Sequence, residues 1–183
     1  NKNNDDIHDF SIAVIGMPNV GKSSFVNKIL NRKQNIVTNI AGTTRDSIDS
    51  YLKYYSKTIR VIDTAGLRKS SKIKDEIEYY SSVRTERSID DCDIAIVMID
   101  GNKGFDNQDR DIVRMVIDKG KGMLLIINKW DLIVKDSHTM NNYIKNLLHA
   151  YPAMCHYPII FTSIKENKRV QDVLLSCLRV YKD

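Results

Sequence analysis

Gly16, Gly21, Lys22 and Ser23, set in the run Gly16-Met17-Pro18-Asn19-Val20-Gly21-Lys22-Ser23, have the types and spacing to hold a phosphate chain. Glycine lacks a Cβ, so Gly16 and Gly21 can take positive φ and turn backbone amides toward phosphate oxygens. Lys22 supplies a point charge to the β and γ phosphates, and the Ser23 hydroxyl stands where a magnesium ion is held. Ser24 follows directly and joins the same nucleotide-binding set. A helix starting at this loop adds the partial positive charge of its N-terminus.

Such a loop needs a strand before it and a helix after it. Phe10 to Ile15 is an apolar run of strand length, and Phe25, Val26, Ile29 and Leu30 fall on one helical face. Further along, Ile48 to Tyr54 and Thr58 to Ile62 are read as two strands joined by a tight turn near Tyr55 and Ser56. The second ends in Asp63-Thr64-Ala65-Gly66-Leu67, which sets a carboxylate at the C-terminal end of a strand, where open α/β sheets bind ligands. A polar, basic loop from Leu67 to Lys74 precedes a helix expected from about Asp75 to Ile89. Asp93 to Ile99 and Met123 to Ile127 are continuous apolar strands, separated by a helix over Gln108 to Lys119. Helices over His138 to His149 and around Val170 to Tyr181 flank a last strand, Pro158 to Phe161. Apolar strands alternating with helices predict an α/β domain with a parallel sheet covered on both faces.

The strand ending at Ile127 runs into Asn128-Lys129-Trp130-Asp131. A carboxylate at Asp131 can accept two charge-assisted hydrogen bonds from the ring N–H and exocyclic amine of guanine. Adenine offers no such pair, so the predicted ligand is GTP or GDP. Asn128 is expected to tie this loop to the phosphate loop, and the Lys129 stem to lie along one face of the base.

Length and composition permit this reading. The 183 residues, 42% of them hydrophobic, suffice for one domain with a full core. Asn1 to Asp9 reads as a polar linker, so the domain is placed at residues 10–183. The net charge of +5 comes from 28 basic and 23 acidic residues spread along the chain, which allows an RNA partner without requiring one. Cys92, Cys155 and Cys177 are far apart and have no metal-ligand spacing, so they read as reduced thiols. Neither a secretory h-region nor an apolar run of membrane-spanning length occurs, and a soluble protein that is not secreted is expected.

Gly16 to Ser23, Thr44, Asp63 to Gly66 and Asn128 to Asp131 together resemble the ordered motifs of the TRAFAC-class GTPases, from about Phe10 onward. Gly42-Thr43-Thr44-Arg45-Asp46, Asn19 and Asn-Lys-Trp-Asp are similar to the TrmE-Era-EngA-Septin group. Leu67 through Thr85 is most similar to the second GTPase domain of the Der (EngA) family. The resemblance implies a Ras-like P-loop GTPase fold, a mostly parallel six-stranded sheet with one antiparallel edge strand. It implies that Thr44 coordinates magnesium beside Ser23 and senses the γ phosphate, that Asp63 holds magnesium through water, and that the Gly66 amide binds the γ phosphate. Ser163-Ile164-Lys165 looks like the last guanine-contacting motif, with Ile164 where the family has alanine.

Leu67 stands where many GTPases carry a water-orienting glutamine, and it cannot hydrogen-bond. The resembled group uses a potassium ion instead, which here implies Asn19, backbone groups of Thr38 and Ile40, and Thr43 as its holders. A unit charge about 4 Å from a phosphoryl oxygen contributes roughly 4 kcal/mol at an effective dielectric of 20, enough for about a thousandfold in rate. Lys22, Thr44, Gly66 and Asn19 are thus the expected catalytic group. The resemblance also implies a switch in large-subunit ribosome assembly, with ribosomal RNA or the subunit as partner. It implies a longer chain carrying a sister GTPase domain and a KH-like domain. A bacterial cytoplasm, or an organelle of bacterial origin, is the implied compartment. Two other readings stay open: a nucleotide-loaded docking module that hydrolyses little, and the G domain of a TrmE-like tRNA-modification protein. Arg45, Arg68, Lys69, Lys72 and Lys74 are either RNA or domain contacts or a solvated loop.

Overall fold

The computed structural model describes residues 8–31, 48–67 and 80–183. The expected switch segment, with Thr38, Ile40, Thr43, Thr44 and Arg45, lies outside them, as do Arg68, Lys69, Lys72 and Lys74.

Six strands form one sheet: β1 (Phe10–Gly16), β2 (Ser50–Tyr54), β3 (Lys57–Val61), β4 (Ile94–Asp100), β5 (Gly122–Asn128) and β6 (Ile159–Phe161). They lie in the order β2-β3-β1-β4-β5-β6, and only the edge strand β2 runs antiparallel to its neighbour. This is the expected Ras-like arrangement. Among the described residues, longer helices accompany it: α1 (Lys22–Leu30), α2 (Ser82–Asp91), α3 (Asn107–Asp118), α4 (Thr139–Ala150) and α5 (Val170–Lys182).

The central strands β4 and β5 are apolar from Ile94 to Ile99 and from Met123 to Ile127 because both of their faces are covered. Ile94, Ile96 and Met98 of β4, with Leu124 and Ile126 of β5, pack against Phe25, Val26 and Ile29 of α1 and Val173, Leu174 and Cys177 of α5. The alternate residues Ala95, Val97 and Ile99, with Leu125 and Ile127, face Ile89 of α2, Ile112, Val113 and Val116 of α3 and Leu147 of α4. Adjacent side chains on a strand point to opposite faces, so one unbroken run supplies two cores. The parallel strands all end on the same side, and the described loops that carry Gly16 to Ser23, Asp63 to Gly66 and Asn128 to Asp131 gather there.

The β2–β3 turn falls at Tyr55 and Ser56 as expected, with Tyr55 bearing the positive φ of 54° that glycine or asparagine usually takes. The helix expected from Asp75 differs. Residues 75–79 are outside the described set, and Tyr80 and Ser81 are not helical. Ser81 is extended and its hydroxyl accepts the Arg84 amide at 3.3 Å, so α2 starts at Ser82 behind a side-chain cap. Cys92 and Cys177 are buried and Cys155 is exposed; burial pushes both buried thiols up to about 12, which leaves them inert packing groups. Among the described residues no helix is long and apolar enough to cross a membrane.

α3 begins with a capping box: Asp106 accepts the Asp109 amide at 3.0 Å and Asp109 accepts the Asp106 amide at 3.2 Å. Asp109 is only 5% exposed, and burial pushes its carboxyl up to about 6, with the negative charges of Asp106 and Asp100 adding to the rise. The folded chain therefore holds this proton more tightly than the unfolded one. The resulting cost is absent below about pH 4, grows as pH rises through 6, and reaches up to about 3 kcal/mol at 1.36 kcal/mol per pKa unit. Asp109→Asn is expected to stabilise the fold by about 1–2 kcal/mol at pH 7.5 and not at pH 4, once its weaker helix-dipole contact is subtracted. Urea denaturation at both pH values checks this, and an equal shift at the two would contradict it.

Candidate nucleotide-binding site

The loop between β1 and α1 turns on three residues with positive φ: Gly16 at 155°, Asn19 at 64° and Gly21 at 111°. A Cβ on Gly16 would stand 2.5 Å from the Met98 carbonyl oxygen, and one on Gly21 would strike Asn128 Nδ2. Both glycines are therefore required by close approach as well as by φ, as the spacing predicted. Asparagine is among the few other residues that tolerate the left-handed region, which explains Asn19 as local backbone chemistry. Lys22 is 8% exposed, and its Nζ donates to the carbonyls of Gly16 and Met17, each at 2.8 Å. The ammonium is thereby held across the mouth of the loop. No side chain caps α1 and no acidic residue lies in its first turn, so nothing within the helix offsets the positive end it turns toward the loop. Val20 is buried in the core and Met17 packs against it, anchoring the loop from behind. Pro18 is half-buried, and Ser24 is exposed on α1.

Asn128 joins this loop to the other motifs. It is buried, its Nδ2 donates to the Val20 carbonyl at 2.9 Å, and its Oδ1 accepts from the Thr162 hydroxyl and the Ile164 amide, both at 3.1 Å. The expected tie is present. The Ile164 amide is directed to Asn128, and its side chain is 1% exposed in the core. The bulk of isoleucine where the family carries alanine is thus absorbed by packing. Lys165 is exposed beside it. Asp131 accepts from the Ser163 hydroxyl at 2.8 Å, which orients the carboxylate and leaves its second oxygen for the paired donors of a base. Trp130 holds this corner, packed on Phe161 with ring centroids 4.5 Å apart. Lys129 is left-handed, with φ of 61°, and its Nζ reaches Asp100 Oδ2 at 3.1 Å.

Asp63 follows β3 with φ of 55°, its amide bonded to Asp49 Oδ1 at 2.7 Å. Its carboxylate lines a cavity of about 220 Å³ together with Gly16, Lys22, Gly66, Leu67 and Arg84. The Ser23 hydroxyl and the Asp63 carboxylate are the hard oxygen donors that magnesium takes, so the residues present fit that ion. The Thr64 hydroxyl and the Ala65 amide, read with the nucleotide-binding set, both donate to the Ile48 carbonyl, at 3.3 and 3.0 Å. Leu67 packs against the core cluster, as an apolar residue there must.

Sequence spacing did not single out Arg84, Asp100, Thr162 or Lys28. Arg84 forks onto Asp63, and Lys28 Nζ donates to the carbonyls of Ile164 and Lys165. Each acts across a long sequence separation, where no local pattern carries a signal.

Residues 11–129 match the family described as 50S ribosome-binding GTPase. The chain belongs to that family. It is 47% identical over 172 residues to GTPase Der of Chlorobium chlorochromatii, covering 94% of this chain and 39% of that protein. Against GTPase Der of Clostridium tetani it is 48% identical over 163 residues, covering 89% and 37%. The chain thus spans about two fifths of the length of these curated relatives. Among solved structures it is similar to Era in complex with MgGDPNP and nucleotides 1506–1542 of 16S ribosomal RNA. The TM-score is 0.67 at 21% identity, over 95% of this chain and 57% of that one. The G domain of the T. maritima FeoB iron transporter gives a TM-score of 0.59 at 20% identity, over 95% and 99%. Those two likenesses bear on the fold, which is the one described above.

Asn128→Ala is expected to leave the Val20 carbonyl and the Ile164 amide buried without partners. That costs about 2–6 kcal/mol at roughly 1–3 kcal/mol per orphaned group. Equilibrium urea denaturation measures it; a loss under 1 kcal/mol would show that the node is not structural.

Proposed function

We propose that this domain binds GTP and GDP with magnesium, hydrolyses GTP, and acts as a nucleotide-dependent switch in assembly of the large ribosomal subunit. The observation that carries the reading is the Asn128 side chain, which couples the phosphate loop to the guanine-selecting corner formed by Asp131 and Ser163. Family membership supports it, as does the printed description of that family as ribosome-binding.

Gly16 to Ser24 would hold the phosphates through their amides and Lys22. Asp131 would select guanine, with the Lys129 stem along the base and Ser163-Ile164-Lys165 closing the site. Ser23, Asp63 and Thr44 would hold magnesium, which supplies charge neutralisation on the β and γ phosphates when bound. Gly66 would present its amide to the γ phosphate. Leu67 cannot orient water, so a potassium ion held by Asn19, Thr38, Ile40 and Thr43 is proposed to supply the missing positive charge. The similarity of Leu67 to Thr85 to Der supports assignment as the second GTPase domain of a longer chain, beside a sister GTPase domain and a KH-like domain. Bacterial relatives favour a bacterial cytoplasm or an organelle derived from one.

The docking-module reading has one observation in its favour, the apolar Leu67, half-buried against the core. Single-turnover hydrolysis separates the two: turnover in potassium that falls at least tenfold in sodium supports the switch, and turnover no greater than background in either salt supports docking. Equal rates in both salts would remove potassium from the mechanism.

Calorimetry tests selection of the base. Heat is expected with GDP and none with ADP, and Asp131→Ala is expected to weaken GDP at least about tenfold, since a hydrogen bond to a charged group contributes roughly 1.5–3 kcal/mol. Equal heats for the two nucleotides would end the guanine reading.

A further inference from the structure

Asp63 and Gly66 are the two described residues proposed to meet magnesium and the γ phosphate from the β3 side, and one side chain covers both. Arg84, near the start of α2, donates through Nε to Asp63 Oδ2 and through Nη2 to Asp63 Oδ1 at 2.8 Å. This is the fork geometry by which arginine grips a carboxylate. The same guanidinium lies against the backbone of Gly66, so closely that a Cβ there would come within 2.7 Å of Arg84 Cζ. Glycine at 66 has no unusual φ to account for it. A side chain at position 66 would push the guanidinium of Arg84 aside.

We propose that Arg84 is a latch that competes with magnesium for Asp63 and reports the outcome to α2. This rests on the guanine-nucleotide reading above. A carboxylate keeps two outer lone pairs when a guanidinium takes the inner two. Its charge is nevertheless offset, and a divalent cation approaching those lone pairs meets a fixed positive group a few ångströms away. Magnesium and the fork therefore oppose each other. One side of the cavity wall is the start of α2, with Tyr80, Ser81, Thr85 and Ser88 beside Arg84. Arg84 is also the residue whose amide the Ser81 cap accepts. Release of its side chain from Asp63 would thus be felt at the first turn of the helix, while its backbone stays capped.

The fork has a half-exposed arginine and a largely buried carboxylate, with side-chain exposures of 55% and 18%, so its strength is modest. Release of a fluorescent GDP analogue, titrated with magnesium, reads it. Arg84→Gln and Arg84→Lys are each expected to lower the magnesium concentration for half-maximal retention by about two- to fivefold, the scale of a partly exposed ion pair. Lysine keeps the charge and loses the fork. If Arg84→Lys matched the wild type while Arg84→Gln shifted, charge alone would explain the effect and the latch would be overturned. No shift in either variant would also overturn it, while magnesium-dependent retention by the wild type would leave the nucleotide reading standing. A wild-type protein that retained no guanine nucleotide would sink both. Thermal melting of the nucleotide-free variants, expected within about 2 °C of the wild type, verifies that the fold is intact.

Discussion

One buried amide side chain holds this site together. Asn128 sits at the end of β5 and uses both of its polar atoms on groups from other loops, the Val20 carbonyl from the phosphate loop and the Thr162 hydroxyl and Ile164 amide beyond β6. No single backbone element spans those three places. In a buried setting each of these bonds is worth more unbroken than its net contribution suggests, because breaking it orphans a desolvated partner. Asparagine suits the position because it carries a donor and an acceptor on one short, uncharged group.

The sheet makes that junction possible. Parallel strands deliver all their C-terminal ends to one side, and the register of β4 on β5 sets Asp100 opposite Asn128. Lys129, one residue on, then reaches Asp100. Two cores, one on each face, fix the strand ends in place, and the glycine loop approaches so closely that neither Gly16 nor Gly21 has room for a Cβ. Rigidity behind the loops is what allows polar groups at their tips to be placed to within a hydrogen bond.

Charge is arranged in pairs around this edge. Lys129 is matched to Asp100, Arg84 to Asp63 and Arg60 to Asp49, and the Asp63 amide is itself bonded to Asp49. Asp63 is the acid in this set that a metal would have to share, which gives its partner a different standing from the others. The remaining pairs join sheet strands, or the residues next to them, to one another, while the Arg84 fork joins the end of β3 to the start of a helix, α2.

Local pattern alone determined a good deal. The alternation of apolar strands and amphipathic helices gave the layer architecture, because burial on both faces keeps β4 and β5 apolar up to their C-terminal residues, Asp100 and Asn128. Gly16 and Gly21 were legible as turn residues, since positive φ is a property of the residue itself. Asn128 and Asp131 were legible because strand-end position and side-chain chemistry travel together in sequence. The start of α2 was not, as polar and apolar residues before Ser82 fit a helical face as well as a loop, and the serine cap decided between them. Nor was the use of the Ile164 amide, which depends on where Asn128 lies 36 residues earlier. Arg84 on Asp63, Asp100 on Lys129 and Lys28 on the Ser163 loop were settled by packing alone. Their partners meet only once the sheet has brought distant strand ends to one edge, and no spacing along the chain records that distance.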